Sequence, residues 1–220
     1  MTGLGMLALA ALAFVGTHFL MSHPLRAPMI SALGERGFAM AYTVVSLLTF
    51  GWMIWAYPDA VATEPRPQWD AGRWGYVAAT LLMWLGSVLF MGSLRRNPAF
   101  PRPGKKIERI DEPHGVYSIT RHPMMWGFAL WAATHAIVNP TRASLILSAS
   151  IAFLALVGAV LQDAKKERLL GEVWREWRSK TSFIPYGRGL KSADGFALLS
   201  GTILWLAASW AHGALGARPA

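Results

Sequence analysis

The 220-residue chain contains no cysteine. That absence excludes disulfides, thiolate nucleophiles, iron–sulfur ligation and a cysteine-ligated haem. Any metal must be held by histidine, methionine, carboxylate or tyrosine. Charge is also scarce: 15% of residues are charged against 54% hydrophobic, and eleven are tryptophan. So little charge cannot clothe a water-facing surface, and the chain reads as embedded in a bilayer. No internal repeat is present, and the two His-Pro pairs, His23-Pro24 and His122-Pro123, have unlike surroundings. No basic segment precedes the first apolar run, so a cleavable signal peptide is not expected.

What the chain does have is long charge-free apolar runs, at 4–21, 38–57, 74–91, 124–138, 143–161 and 196–215. Five reach the roughly 18 residues needed to span a hydrocarbon core, while the fourth has 15 and is short. The pattern predicts an all-α, polytopic membrane bundle of about six transmembrane helices in one domain, 1–220. The short fourth run, followed by Asn139-Pro140, predicts a tight hairpin with the fifth. A net charge of +9 does not point to nucleic acid, because its placement is one-sided. The connections between runs one and two, three and four, and five and six hold 17 of the 21 Lys and Arg. By the positive-inside rule these connections are cytoplasmic. Both termini are therefore expected on the other side of an inner (plasma) membrane. Trp69, Trp74, Trp126 and Trp210 lie near run ends, as interfacial anchors do, and the basic excess suits contact with membrane lipids.

Three stretches fall outside the runs. Residues 58–73 read as a connecting loop. Residues 93–120, with Pro98, Pro101, Pro103 and Gly104, read as extended and turn-rich. Residues 163–177 read as an amphipathic helix continuing the fifth run. There Leu169, Leu170, Val173, Trp174 and Trp177 recur opposite Lys165, Lys166, Arg168, Arg175 and Arg178. Such a helix either lies on the membrane surface or roofs a site at the cytoplasmic end of the fourth run.

The segment with most chemistry runs from Arg121-His122-Pro123 to His135. Arg121 and His122 at a helix start make either an anion site or a simple cap. His135 lies thirteen residues further on, about 20 Å along a helix, at membrane depth. An ionisable group there is by default a candidate for function. His18 is the other intramembrane histidine to weigh, His212 lies near the far end of the last run, and His23 and His114 look like loop residues. By depth alone, regular spans pair His135 with His212 and His18 with His122.

The order of motifs along the chain resembles the NnrU family of membrane proteins, which includes the zeta-carotene isomerases of plants and cyanobacteria. The resemblance starts with His18 and the Gly34-Glu35-Arg36 turn and continues through Arg121-His122-Pro123 and Trp131-Ala132-Ala133-Thr134-His135. It ends with Glu167-Arg168, the Trp174/Trp177 helix, Thr181-Ser182-Phe183-Ile184-Pro185-Tyr186 and Ala211-His212. It implies an integral membrane protein that binds haem b through His18 and His135, with Trp126 and Trp131 as cofactor contacts. It also implies cis–trans isomerisation of a lipophilic, carotenoid-like substrate, with an electron donor that the sequence does not identify. The plant members carry a cysteine where Ala132 stands, so a ligand switch through that thiol cannot operate here, and no plastid transit peptide is expected. His18 and His135 must reach similar depth to share one iron, which a fourth segment starting deep in the membrane would allow.

Residues Arg121, His122, Pro123, Gly127, Glu167, Leu170, Trp174, Trp177 and Pro185 are also similar in layout to isoprenylcysteine carboxyl and phospholipid methyltransferases. That likeness implies S-adenosylmethionine at the cytoplasmic face, with Arg121, His122 and Glu167 as catalytic residues. Lys166 stands where those enzymes have the first of two adjacent glutamates. A non-enzymatic haem or denitrification accessory is the third reading, since one fold can carry different chemistries.

Overall fold

A computed structural model describes residues 2–98 and 109–214. Those residues form eight helices and no strand: α1 (Gly3–Ser22), α2 (Arg26–Thr63), α3 (Gly72–Ser93), α4 (Val116–Ile119), α5 (Pro123–Val138), α6 (Arg142–Leu170), α7 (Glu172–Lys180) and α8 (Gly195–Ala214). Five of them, α1, α2, α3, α6 and α8, are long and apolar enough to cross a membrane. α5 has 16 residues, about 24 Å of helix against a core of about 30 Å. It is the short fourth segment, joined to α6 by residues 139–141 alone. The chain is an all-α, polytopic membrane protein. Its described residues fall into two compact units, Met1–Asp70 with Asn139–Leu154 and Ala71–Val138 with Ala155–Ala220.

In the first unit, Leu7, Ala10, Ala11 and Phe14 recur at helical spacing and bury one face of α1, while Met53, Ala56 and Ala60 do so for α2. The two helices meet closely at Gly3, where a Cβ would sit 2.7 Å from the Asp59 carbonyl oxygen. α2 is broken at Gly34, whose φ of 69° and ψ of 170° leave the helical region. Only glycine takes that conformation without strain, and the Gly-Glu-Arg turn ahead of the second apolar run is where it falls. The loop anticipated at 58–73 is shorter than expected, because α2 carries Pro58 inside it and ends at Thr63. Beyond it, Gln68 N–H donates to the Pro140 carbonyl (2.8 Å) and Arg142 pairs with Glu64 (2.8 Å).

In the second unit, α3 is flanked by α5 and α8. Small residues set the approach: a Cβ on Gly127 would lie 3.0 Å from the Gly86 carbonyl oxygen, and one on Gly201 2.5 Å from Val88 Cα. Small-on-small crossing is how membrane helices gain close packing. Trp84 donates its indole N–H to Thr202 Oγ1 at 3.0 Å. Below this crossing lies a core of Val88, Leu89, Val116, Tyr117, Ile119, Trp174, Trp177 and Ala197. The amphipathic helix expected across 163–177 is two helices, because Gly171 (φ 54°) ends α6 and starts α7. The turn exposes Leu169 but buries Trp174 and Trp177 in this core. α7 therefore turns Trp174 and Trp177 into protein rather than outward.

Leu12, Leu47, Trp55, Leu81 and Leu199 lie open, as lipid-facing side chains do. Thr17, Thr49, Thr80 and Ser200 return their hydroxyls to carbonyls four residues back, which satisfies polar groups where water is absent. Trp69, Trp74 and Trp210 are exposed near helix ends. Trp126, expected among those anchors, instead donates to the Phe183 carbonyl (2.8 Å). Residues 109–115 carry no helix and α4 is one turn, as a turn-rich stretch requires; Pro101, Pro103 and Gly104 lie outside the described residues.

Candidate functional site

Pro123 opens α5 at the one helical position where a missing N–H does no harm. The residues ahead of it are held by the segment that follows α7. Arg121 N–H donates to the Ser182 carbonyl (2.8 Å), Tyr186 N–H to the Ile119 carbonyl (3.0 Å) and the Thr120 hydroxyl to the Phe183 carbonyl (2.7 Å). The Thr181–Tyr186 motif thus exists to clamp the Arg-His-Pro entrance.

Asp163 of α6 completes the arrangement. Its Oδ2 accepts from Arg121 Nε (2.8 Å) and Nη2 (2.7 Å), and its Oδ1 lies 3.0 Å from His122 Nε2. An ionised carboxylate only accepts, so Nε2 carries the proton. His122 is 3% exposed, and its Nδ1 is buried with no hydrogen-bond partner among the described residues. Asp163 follows the charge-free apolar run that ends at Leu161. Burial alone would raise its carboxyl, but the hydrogen bonds and charges of His122 and Arg121 outweigh that and hold it below its ordinary value. Phe183 covers the group, 5.3 Å from the His122 ring centre and 5.4 Å from the Arg121 guanidinium carbon.

Glu167 lies one turn beyond Asp163, on the same face of α6. It pairs with Arg178 of α7. Together with Arg121, Arg175, Arg178 and Arg188 it lines a cavity of about 740 Å³. At the edge of this region burial pushes the Tyr117 hydroxyl up, and it donates to the Ser93 carbonyl (2.9 Å). On the exposed side, hydrogen bonds to Glu112 and then Glu176 raise the Lys180 ammonium, which in turn lowers Glu176.

The chain matches the family model described as NnrU protein over residues 6–219. The chain belongs to the NnrU family. No curated protein and no solved structure matches it.

In this NnrU-family protein, six of the seven residues expected to act sort into two clusters. Arg121, His122 and Glu167 come together around Asp163, and Trp126 joins them through Phe183. Trp131 and His135 form the other cluster, with ring centres 4.2 Å apart. His212 of α8 joins them, its ring centre 6.1 Å from that of His135. His18 lies in the first compact unit, between Phe14 (4.4 Å) and Tyr42 (5.4 Å). The sequence reading had no role for Asp163. Its signal was a lone carboxylate just past a charge-free run, on the same side as an unexplained Arg-His pair. Among the described residues, no group of three or more His, Asp or Glu could hold a metal ion.

Three of the helix-borne histidines share one feature. Nδ1 of His18, His135 and His212 lies 2.7, 2.8 and 2.7 Å from the carbonyl oxygen four residues back, on Phe14, Trp131 and Ala208. A carbonyl can only accept, so each Nδ1 donates. In the neutral ring that leaves Nε2 with its lone pair.

Proposed function

We propose that this NnrU-family protein binds haem b in the membrane through neutral imidazoles and acts as a cis–trans isomerase on a lipophilic polyene. The observation that carries the reading is the shared lock of His18, His135 and His212. Metal-ligating histidines hold their other ring nitrogen on a carbonyl or carboxylate, which fixes tautomer and ring orientation. Haem needs one or two such ligands, so the donor set fits it. His135 is the ligand common to both pairings. The resemblance pairs it with His18; the 6.1 Å ring separation inside one compact unit favours His212. Trp131 packs against His135 with the rings tilted by 31°, and limits how the imidazole can turn. When bound, haem supplies a redox-active iron whose electron donation lowers the bond order, and so the rotation barrier, of a nearby double bond.

The S-adenosylmethionine reading is disfavoured by charge. Four arginines and one glutamate line the cavity beside Arg121, and a sulfonium is a cation. An absorption spectrum of the purified protein tests the haem reading. A Soret band that shifts on dithionite and vanishes in His135→Ala is expected. The second ligand is whichever of His18→Ala and His212→Ala also loses the band. Protein that carries no Soret band when expressed with haem supplied overturns the reading.

A further inference from the structure

His122 and His135 are about 20 Å apart along α5, so the arginine-lined cavity cannot share a small ligand with the histidine cluster. Any ligand it takes is its own. We propose that this cavity binds a phosphorylated anion, a phosphate monoester or diphosphate group. The lining carries four guanidinium groups against the single carboxylate of Glu167. The walls are α7, the end of α6 and the segment that clamps Arg121, so the charge is held on built elements.

Arg178 and Arg175 are held by Glu167 and Glu172, while the other two arginines keep donors to spare. Arg121 is nine-tenths buried and fixed by Asp163 through Nε and Nη2, which leaves Nη1 to a ligand. Arg188 gives only Nε, to the Thr181 carbonyl at 3.1 Å, and its terminal nitrogens have no partner among the described residues. The Ser182 hydroxyl also lines the cavity without a side-chain hydrogen bond among the described residues. Guanidinium groups recognise phosphate by paired N–H donors, and several arginines around one anion fit two or more negative charges better than a single carboxylate ligand. Asp163 keeps Arg121 in place without lining the cavity, so an entering anion is not met by that carboxylate. Beside the cavity Ile184 is exposed, an apolar contact open to an acyl chain.

Two sources carry this chemistry, the headgroup of an acidic phospholipid and a free phosphate compound. Titration of the full-length protein in phosphatidylcholine nanodiscs separates them, with inorganic diphosphate in one arm and short-chain phosphatidic acid in the other. Saturable binding is expected at constant ionic strength, weakened about tenfold or more by Arg188→Gln and by Arg178→Gln, since one charge-assisted pair is lost in each. Arg66→Gln, in the first unit and exposed, should bind as the wild type does. Binding of diphosphate marks a free phosphate compound as ligand, and binding of phosphatidic acid alone marks a lipid headgroup. Saturation by neither, or binding that both arginine variants leave intact, overturns the proposal. Should Arg188→Gln fail to fold, Arg178→Gln carries the same reading. Haem content does not enter this measurement, so the two proposals fail separately.

Discussion

At the scale of single residues, Asp163 is the side chain on which the Arg121–His122 cluster depends. It is the counter-charge for Arg121 and the acceptor for His122. Asp163→Ala leaves a buried guanidinium unpaired, and a loss of about 3 kcal/mol is expected, read as a lower thermal midpoint. The same carboxyl sets a pH dependence. In the unfolded chain it titrates near 3.8, and in the folded protein lower. Its contribution is therefore complete above 3.8 and is lost as pH falls through the lower folded value. Melting curves of wild type and Asp163→Asn should be well separated at neutral pH and converge on acidification below 3.8. A separation that stays constant down to the acid limit would show that Asp163 does not stabilise through its charge.

At the scale of elements, the crossing of α3 and α5 places the Arg-His-Pro entrance. Gly127 meets the Gly86 carbonyl oxygen at 3.0 Å and Phe90 Cβ at 3.1 Å, measured from an added Cβ. Gly127→Val must push α5 off α3, at a cost of about 2 kcal/mol by overpacking. Gly158 on α6 has nothing within 4 Å of its added Cβ, so Gly158→Ala should be neutral or slightly stabilising through helix propensity. Thermal melts of the two variants check this pair of outcomes. Equal melting for both would mean that close approach does not hold the crossing. α7 follows the same logic from its other side: the two tryptophans that it buries turn Arg175 and Arg178 toward the cavity.

For the whole molecule, the expected topology rests on α5. Between Gln68 and Lys180 stand α3, α5 and α6. If α5 crosses, the two residues are on opposite sides of the membrane; if it only dips in, they share a side. The absence of cysteine makes the test direct. Single cysteines at Gln68 and Lys180, labelled in intact cells by an impermeant maleimide, should react at Gln68 only. Lys180→Cys should label after permeabilisation. Labelling of both from outside would show that α5 fails to cross.

Much of this protein was legible in one dimension. Apolar run length predicts the spanning helices because a bilayer demands about 20 apolar residues of any helix that crosses it. The 15-residue fourth run marked the short α5 in the same way. The lack of cysteine is likewise a local fact, and it bounded the chemistry. Three things were decided only in the folded chain. Gly171 split the amphipathic helix, because a positive φ redirects the backbone whatever the side-chain pattern. Asp163 joined Arg121 and His122 across some forty residues, a pairing that no periodicity encodes because it depends on where α6 meets the entrance of α5. His135 meets His212 because α5 and α8 flank the same helix; regular spans put the two at one depth, but only the packing makes them neighbours.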